Sequence, residues 1–175
     1  MDLRTQHQRK GLDDLAASKM DPMGTRKKNM NSSAEPRSRS TEPDLPEGVW
    51  FSGRARSIFC TIHTDERGTL LPLEFASLPF IPCRLFTVSG VPARGVRGGH
   101  GHRVGQQLLV CLQGSIAVLM RCEQKEAHTT LIPGGPGLLF GPGVWCRQSY
   151  LNEGTVLLVL ASDPYDPASY ILTEE

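Results

Sequence analysis

The sequence predicts an all-β domain, an antiparallel sandwich or barrel, preceded by a polar extension. Three observations predict it. Glycine (18) and proline (13) are abundant in a chain of 175 residues, which favours many turns over a helical bundle. From about Trp50 onward, short β-type runs recur at regular spacing between those turn formers. No segment of ordinary helix length in that part carries a sustained helical apolar pattern.

The extension comes first. Residues 1–48 hold nine Lys+Arg, eight Asp+Glu and almost no aromatic or β-branched side chains. Such a stretch buries too little apolar area to offset the entropy of ordering it, so it reads as a disordered tail. Leu12, Leu15 and Ala16 suggest one helical turn that nothing sustains, and Arg26 to Arg39 is mildly basic. The folded domain is then expected over residues 49–175.

Within that domain the runs are Ser57–His63, Thr69–Phe75, Cys83–Ser89, Gln107–Leu112, Ser115–Arg121, His128–Ile132, Gly137–Phe140, Trp145–Tyr150 and Val156–Ala161. Gln113-Gly114 reads as a tight hairpin turn between two apolar runs. In Ser115–Arg121, Ile116, Val118 and Met120 share one face while Ala117 and Leu119 share the other. With both faces apolar, that strand is expected to be covered twice, by a barrel interior and by another sheet or subunit.

Composition removes several function classes. A net charge of +1 gives the whole chain no strong pull toward nucleic acid or an anionic membrane. The five cysteines, Cys60, Cys83, Cys111, Cys122 and Cys146, are scattered, odd in number and without a CxxC pair. That argues for reduced thiols in the cytoplasm and against a disulfide scaffold or structural zinc. The N-terminus is too polar for a secretory signal, and no apolar run approaches membrane-spanning length.

The chemistry concentrates between Arg97 and Gly114, RGGHGHRVGQQLLVCLQG. On a strand, His100 and His102 point to the same face, and the glycines before them leave room for something to approach. Imidazole titrates near neutrality, so a convergent pair suits proton transfer or metal binding. Read alone, the pair is equally compatible with exposed turn histidines.

The glycine-flanked HxH, the Gln-Gly turn and the later Pro-Gly turn resemble the cupin jelly roll. A cupin metal site takes a glutamate and a third histidine in addition to the HxH pair. Here Gln106 or Gln107 stands at the glutamate position, and Cys146 and Arg147 stand where the third histidine falls. Two neutral imidazoles with glutamines leave a divalent metal short of ligands and negative charge, so no metal and no cofactor is expected. His100, His102 and Cys146 remain a weak three-ligand alternative.

The resemblance extends to one family. Asp65-Glu66-Arg67-Gly68-Thr69-Leu70, Leu78-Pro79-Phe80 and Arg84-Leu85-Phe86 are similar to its opening pattern of DxRGxL, LPF and R-hydrophobic-aromatic. Arg97 to His102 resembles its RGxHAH, and Gly137-Leu138, Pro142 and Trp145 its GL…P..W segment. Val159 to Asp163, Tyr165-Asp166 and Tyr170-Ile171 resemble its closing LVLASDxYDxxxYIR. This is the WxcM-like sugar-nucleotide 3,4-ketoisomerase family, small metal-free cupins acting on dTDP-4-keto-6-deoxyglucose, and the similarity spans roughly residues 57–172. The chain departs from the pattern at three places. Phe86 and Thr87 stand where the family carries a tyrosine, Cys146 replaces a histidine or arginine, and Leu172 replaces the closing arginine.

The resemblance implies an isomerase that moves a ketone from C4 to C3 of a nucleotide-linked sugar through an enediol, working as a homodimer. That reaction needs a base of near-neutral pKa and a nearby group that stabilises the developing oxygen charge. His102 is the candidate base and His100 its polarising or relaying partner. Burial in a barrel lowers an imidazole pKa and keeps a base neutral. Arg67, Arg84 and Arg97 are candidate ligands for the diphosphate, each at a strand start beside a motif. Gln107 is a candidate for the sugar hydroxyls. Trp145, Tyr165 and Tyr170 are expected to pack. Two alternatives remain at this point: a sugar-nucleotide-binding module that has lost catalysis with the tyrosine, and a metal-dependent cupin.

Overall fold

The computed structural model describes residues 48–173. The expected disordered tail, residues 1–48, lies outside the described residues except for Gly48. The strands are β1 (Val49–Trp50), β2 (Ala55–Ile58), β3 (His63–Asp65), β4 (Gly68–Leu70), β5 (Arg84–Val88), β6 (Val96–His102), β7 (Gln107–Gln113), β8 (Ile116–Cys122), β9 (Lys125–Leu131), β10 (Gly137–Phe140), β11 (Trp145–Tyr150), β12 (Val156–Ala161) and β13 (Tyr170–Ile171). The helical content described is three single 3₁₀ turns, at Phe51–Gly53, Phe75–Ser77 and Pro167–Ser169. No helix among the described residues is long and apolar enough to cross a membrane.

Two antiparallel sheets face each other as a jelly roll. One runs β1-β2-β10-β7-β12-β5 and the other β13-β6-β11-β8-β9, with β3-β4 a separate hairpin. Alternation along the strands sends Leu109, Cys111, Leu138, Leu157 and Val159 inward from the first sheet. Ile116, Val118, Met120, Cys146 and Tyr150 meet them from the second, and all are buried. At about 25 cal/mol per Å² of apolar surface removed from water, this shared layer is the main source of stability.

The run predicted over Ser115–Arg121 appears as β8, and its two faces differ in use. Ile116, Val118 and Met120 enter the inter-sheet core. Leu119 points outward and is still only 8% exposed, because Arg147 and His128 lie directly opposite it on the neighbouring strands.

Two expectations need correction. Gln113-Gly114 is a turn, with Gly114 at φ +77, but not a hairpin. β7 belongs to the first sheet and β8 to the second, so the turn carries the chain across the barrel end. A Cβ at Gly114 would stand 2.2 Å from Thr155 Oγ1, which is why this crossing needs glycine. The runs predicted at Ser57–His63 and Thr69–Phe75 are not continuous strands either. The chain from Phe59 to Cys83 leaves the sheet and folds over its outer face. There Leu71, Leu73, Leu78 and Phe80 pack against Leu108, Val110, Leu139 and Leu160. The LPF motif is therefore a cover for the sheet.

Candidate active site

The two histidines lie on β6, whose glycines determine where they point. Cys146 of β11 pairs with His100 and the next residue, Arg147, pairs with Gly98, so Gly99 is an extra residue on β6. Gly98 and Gly99 both sit at positive φ, +73 and +74, the backbone form such a bulge requires. The bulge shifts the alternation by one. Arg97 pairs with inward-facing Gln148, and His100 with inward-facing Cys146, so all four share the cavity face, with Arg97 exposed at its rim. Simple alternation from the sequence would send Arg97 to the opposite face from His100.

His102 follows His100 on that face, with ring centroids 5.2 Å apart and planes at 84°. The hydrogen bonds of His102 determine its tautomer. The Ser169 hydroxyl donates to the Asp166 carbonyl at 2.8 Å, leaving its oxygen to accept from Nδ1–H of His102 at 3.3 Å. Nε2 then carries the lone pair and accepts the Gln107 amide N–H at 2.9 Å. Burial, then the nearby His100 and Arg84, hold His102 below the usual histidine value of 6.5, opposed by Asp163. Both the hydrogen bonds and the lowered pKa favour a neutral imidazole with its lone pair on Nε2.

The closing segment completes the wall. The Asp166 carboxylate accepts the Ala168 N–H at 2.9 Å and caps the turn Pro167–Ser169. That turn presses Ser169 against His102 and delivers Tyr170 onto β6 opposite His102. Tyr170 lies flat on His100, with centroids 4.5 Å apart and planes at 7°, and edge-on to His102 at 4.8 Å. From the sequence alone Tyr170 is expected to pack, and Ser169 has no expected role. The signal available was the YDxxxYI pattern, an Asp-capped turn at fixed distance from an aromatic residue.

Arg84 enters from β5. Its guanidinium stands 4.4 Å over the Phe86 ring and 5.0 Å over the Tyr165 ring. Arg84, Gln107 and Tyr170 line both a barrel cavity of about 440 Å³, with His100, Arg97 and Gln148, and an adjoining one of about 260 Å³, with His102 and Tyr165. His100, His102, Arg84, Arg97 and Gln107 thus converge. Arg67 does not join them. It sits at the β3–β4 turn, its side chain 84% exposed and paired with Asp65. Trp145 is buried on the opposite side of β11 from Cys146, beneath the Arg121 guanidinium at 5.8 Å.

Metal donors are sparse here. Among the described residues no three His, Cys, Asp or Glu side chains are grouped to hold an ion. Cys146 is fully enclosed, and burial pushes its thiol up to about 12, which disfavours the thiolate a metal would bind.

The chain and its fold have known relatives. A family model described as FdtA: WxcM-like, C-terminal matches residues 55–175. The TDP-4-oxo-6-deoxy-alpha-D-glucose-3,4-oxoisomerase of Aneurinibacillus thermoaerophilus is 35% identical over 108 residues, covering 61% of this chain and 78% of that one. The structure of QdtA, a sugar 3,4-ketoisomerase from Thermoanaerobacterium thermosaccharolyticum in complex with TDP, superposes with a TM-score of 0.66 at 33% identity. The match covers 70% of this chain and 90% of QdtA. The WlaRB TDP-quinovose 3,4-ketoisomerase from Campylobacter jejuni gives a TM-score of 0.63 at 29% identity, over 68% and 92% of the two chains.

Proposed function

The chain belongs to the WxcM-like, C-terminal family described as FdtA, and from that premise we infer that it is a sugar-nucleotide 3,4-ketoisomerase. It moves the ketone of a TDP-4-keto-6-deoxyhexose from C4 to C3. The observation that carries this reading is the convergence of two inward histidines, one a neutral base by its hydrogen bonds, on a cavity bordered by arginines.

Each residue has a role in the reaction. His102 removes the proton from C3 through Nε2, which Gln107 yields to the substrate. His100 polarises the ketone as negative charge develops on its oxygen. Arg84 and Arg97 bind the diphosphate, and Gln107 then bonds to sugar hydroxyls. No metal or redox cofactor takes part, because a proton removed at one carbon and returned at the next needs neither. Metal analysis and chelation check this: activity that disappears with a stoichiometric ion contradicts it.

Residues 49–175 form the working unit, which acts as a homodimer in the cytoplasm. All five cysteines are free thiols, consistent with a reducing compartment. Phe59, Ile81 and Leu85 are exposed apolar side chains that a second copy would cover. A chain beginning at Gly48 is expected to sediment as a dimer and retain activity; a stable, inactive monomer would contradict both statements.

The direct test is incubation with TDP-4-keto-6-deoxyglucose and NMR of the product. The reading requires a carbonyl at C3 and a proton at C4. Unchanged substrate that nonetheless binds tightly points to the binding module instead.

A further inference from the structure

The ketone shift moves two protons, and the histidines account for one. The proton leaving C3 for C4 travels on His102. The oxygens change as well, because O4 gains a proton when the enediol forms and O3 loses one when the new ketone closes. Polarisation by His100 delivers no proton to O4, so a second carrier must give one and take one back, and a side-chain O–H can do both.

The cavity walls contain three O–H side chains, Tyr165, Ser169 and Tyr170. Ser169 is committed, donating to the Asp166 carbonyl and accepting from His102. Tyr165 lies further out and is 59% exposed as a residue. Phe86, facing the cavity from β5, has no hydroxyl. Tyr170 is held flat on His100 and edge-on to His102, and it lines both cavities. Its ring meets that of Tyr165 edge-on with centroids 6.1 Å apart, and Arg84 exerts a stabilising field on its phenolate.

We propose that the Tyr170 hydroxyl is the acid of the reaction, giving its proton to O4 as His102 takes the proton from C3. The enediol that results is neutral, the phenolate faces Arg84, and His102 is an imidazolium. The phenolate then takes the proton from O3 while His102 returns its own to C4. Both groups finish as they began, and no other reactant is consumed. This assignment rests on the ketoisomerase reading and adds a second proton carrier to it. Burial raises the phenol above its ordinary value, so it holds its proton at neutral pH until O4 demands it.

Tyr170→Phe in the full chain tests this, because the ring and its stack on His100 stay while the O–H goes. With TDP-4-keto-6-deoxyglucose, kcat is expected to fall about 10²-fold or more while KM and the melting temperature hold. A packing role alone would leave kcat unchanged, and that result overturns the assignment. Replacing the chain's three tyrosines by fluorotyrosine gives a second measurement that leaves the side-chain frame intact. Fluorine lowers the phenol pKa, so the alkaline limb of the kcat profile should move to lower pH; a limb that stays fixed overturns the assignment. A wild-type chain that turns over no such sugar overturns the ketoisomerase reading itself and this inference with it. An active wild type with an equally active Tyr170→Phe overturns this inference alone.

Discussion

Gln107 donates its side-chain amide N–H to Nε2 of His102 at 2.9 Å, while Ser169 accepts from Nδ1 on the other side of the ring. Together they hold the imidazole as one neutral tautomer with its basic nitrogen toward the cavity. Burial and two cationic or cation-forming neighbours reinforce neutrality by holding His102 below 6.5.

A pH dependence follows, and its sign can be worked out. With His102 as the proposed base, the acid limb of kcat/KM should have its midpoint below pH 6.5. Stability moves the same way. The unfolded chain binds this proton near the ordinary value and the folded chain only below it. The contribution is therefore fully present above 6.5 and lost as pH falls through the folded value. A pH–rate profile whose acid limb lies above 6.5 would contradict the environment described for His102.

The bulge in β6 gives a second prediction. A Cβ at Gly98 would stand 2.7 Å from the Cys146 carbonyl oxygen, at a φ of +73. Gly98→Ala should therefore cost about 2 kcal/mol or more and misplace His100. Gly99→Ala meets nothing within 4 Å and bears only the cost of its φ of +74, about 1 kcal/mol. Denaturant melts of the two variants check the order; equal losses would show that backbone conformation alone matters there.

β5 supplies a third. Alternation puts Phe86 on the cavity side with Arg84 and Val88, and Thr87 on the outer face with Leu85. A tyrosine hydroxyl restored by Phe86→Tyr enters the barrel, beneath the Arg84 guanidinium. It is expected to raise kcat, by up to about 10-fold if oxygen protonation limits the rate. Thr87→Tyr points away and should not raise it. Equal effects of the two would show that the hydroxyl acts through folding and not at the site.

Much of this was legible in the sequence, and what was not has identifiable causes. β10, β11 and β12 carry the bounds predicted for them, because each is an unbroken apolar or alternating run between turn formers. The Phe59–Cys83 excursion misled because its leucines cover a sheet from outside, and periodicity does not distinguish a covering loop from a strand. The Gln113-Gly114 crossing misled because adjacency in sequence says nothing about which sheet the next strand joins. At the site, the HxH spacing put His100 and His102 on one face, where the structure has them. The placement of Arg97 depended on one extra glycine, and that of Tyr170 on a capped turn closing from far along the chain.

The measurement that tests the account most directly is solvent exchange at C3. TDP-4-keto-6-deoxyglucose is incubated in D₂O with the wild-type chain and with His102→Asn, and deuterium at C3 and C4 is followed by NMR. Asparagine preserves polarity at this position, but an amide is no base near neutral pH. The account predicts rapid exchange with the wild type and a loss of about 10²–10⁴-fold in the variant, with the melting temperature unchanged. Brisk exchange that survives His102→Asn would contradict it, and the proton would have to leave through another group.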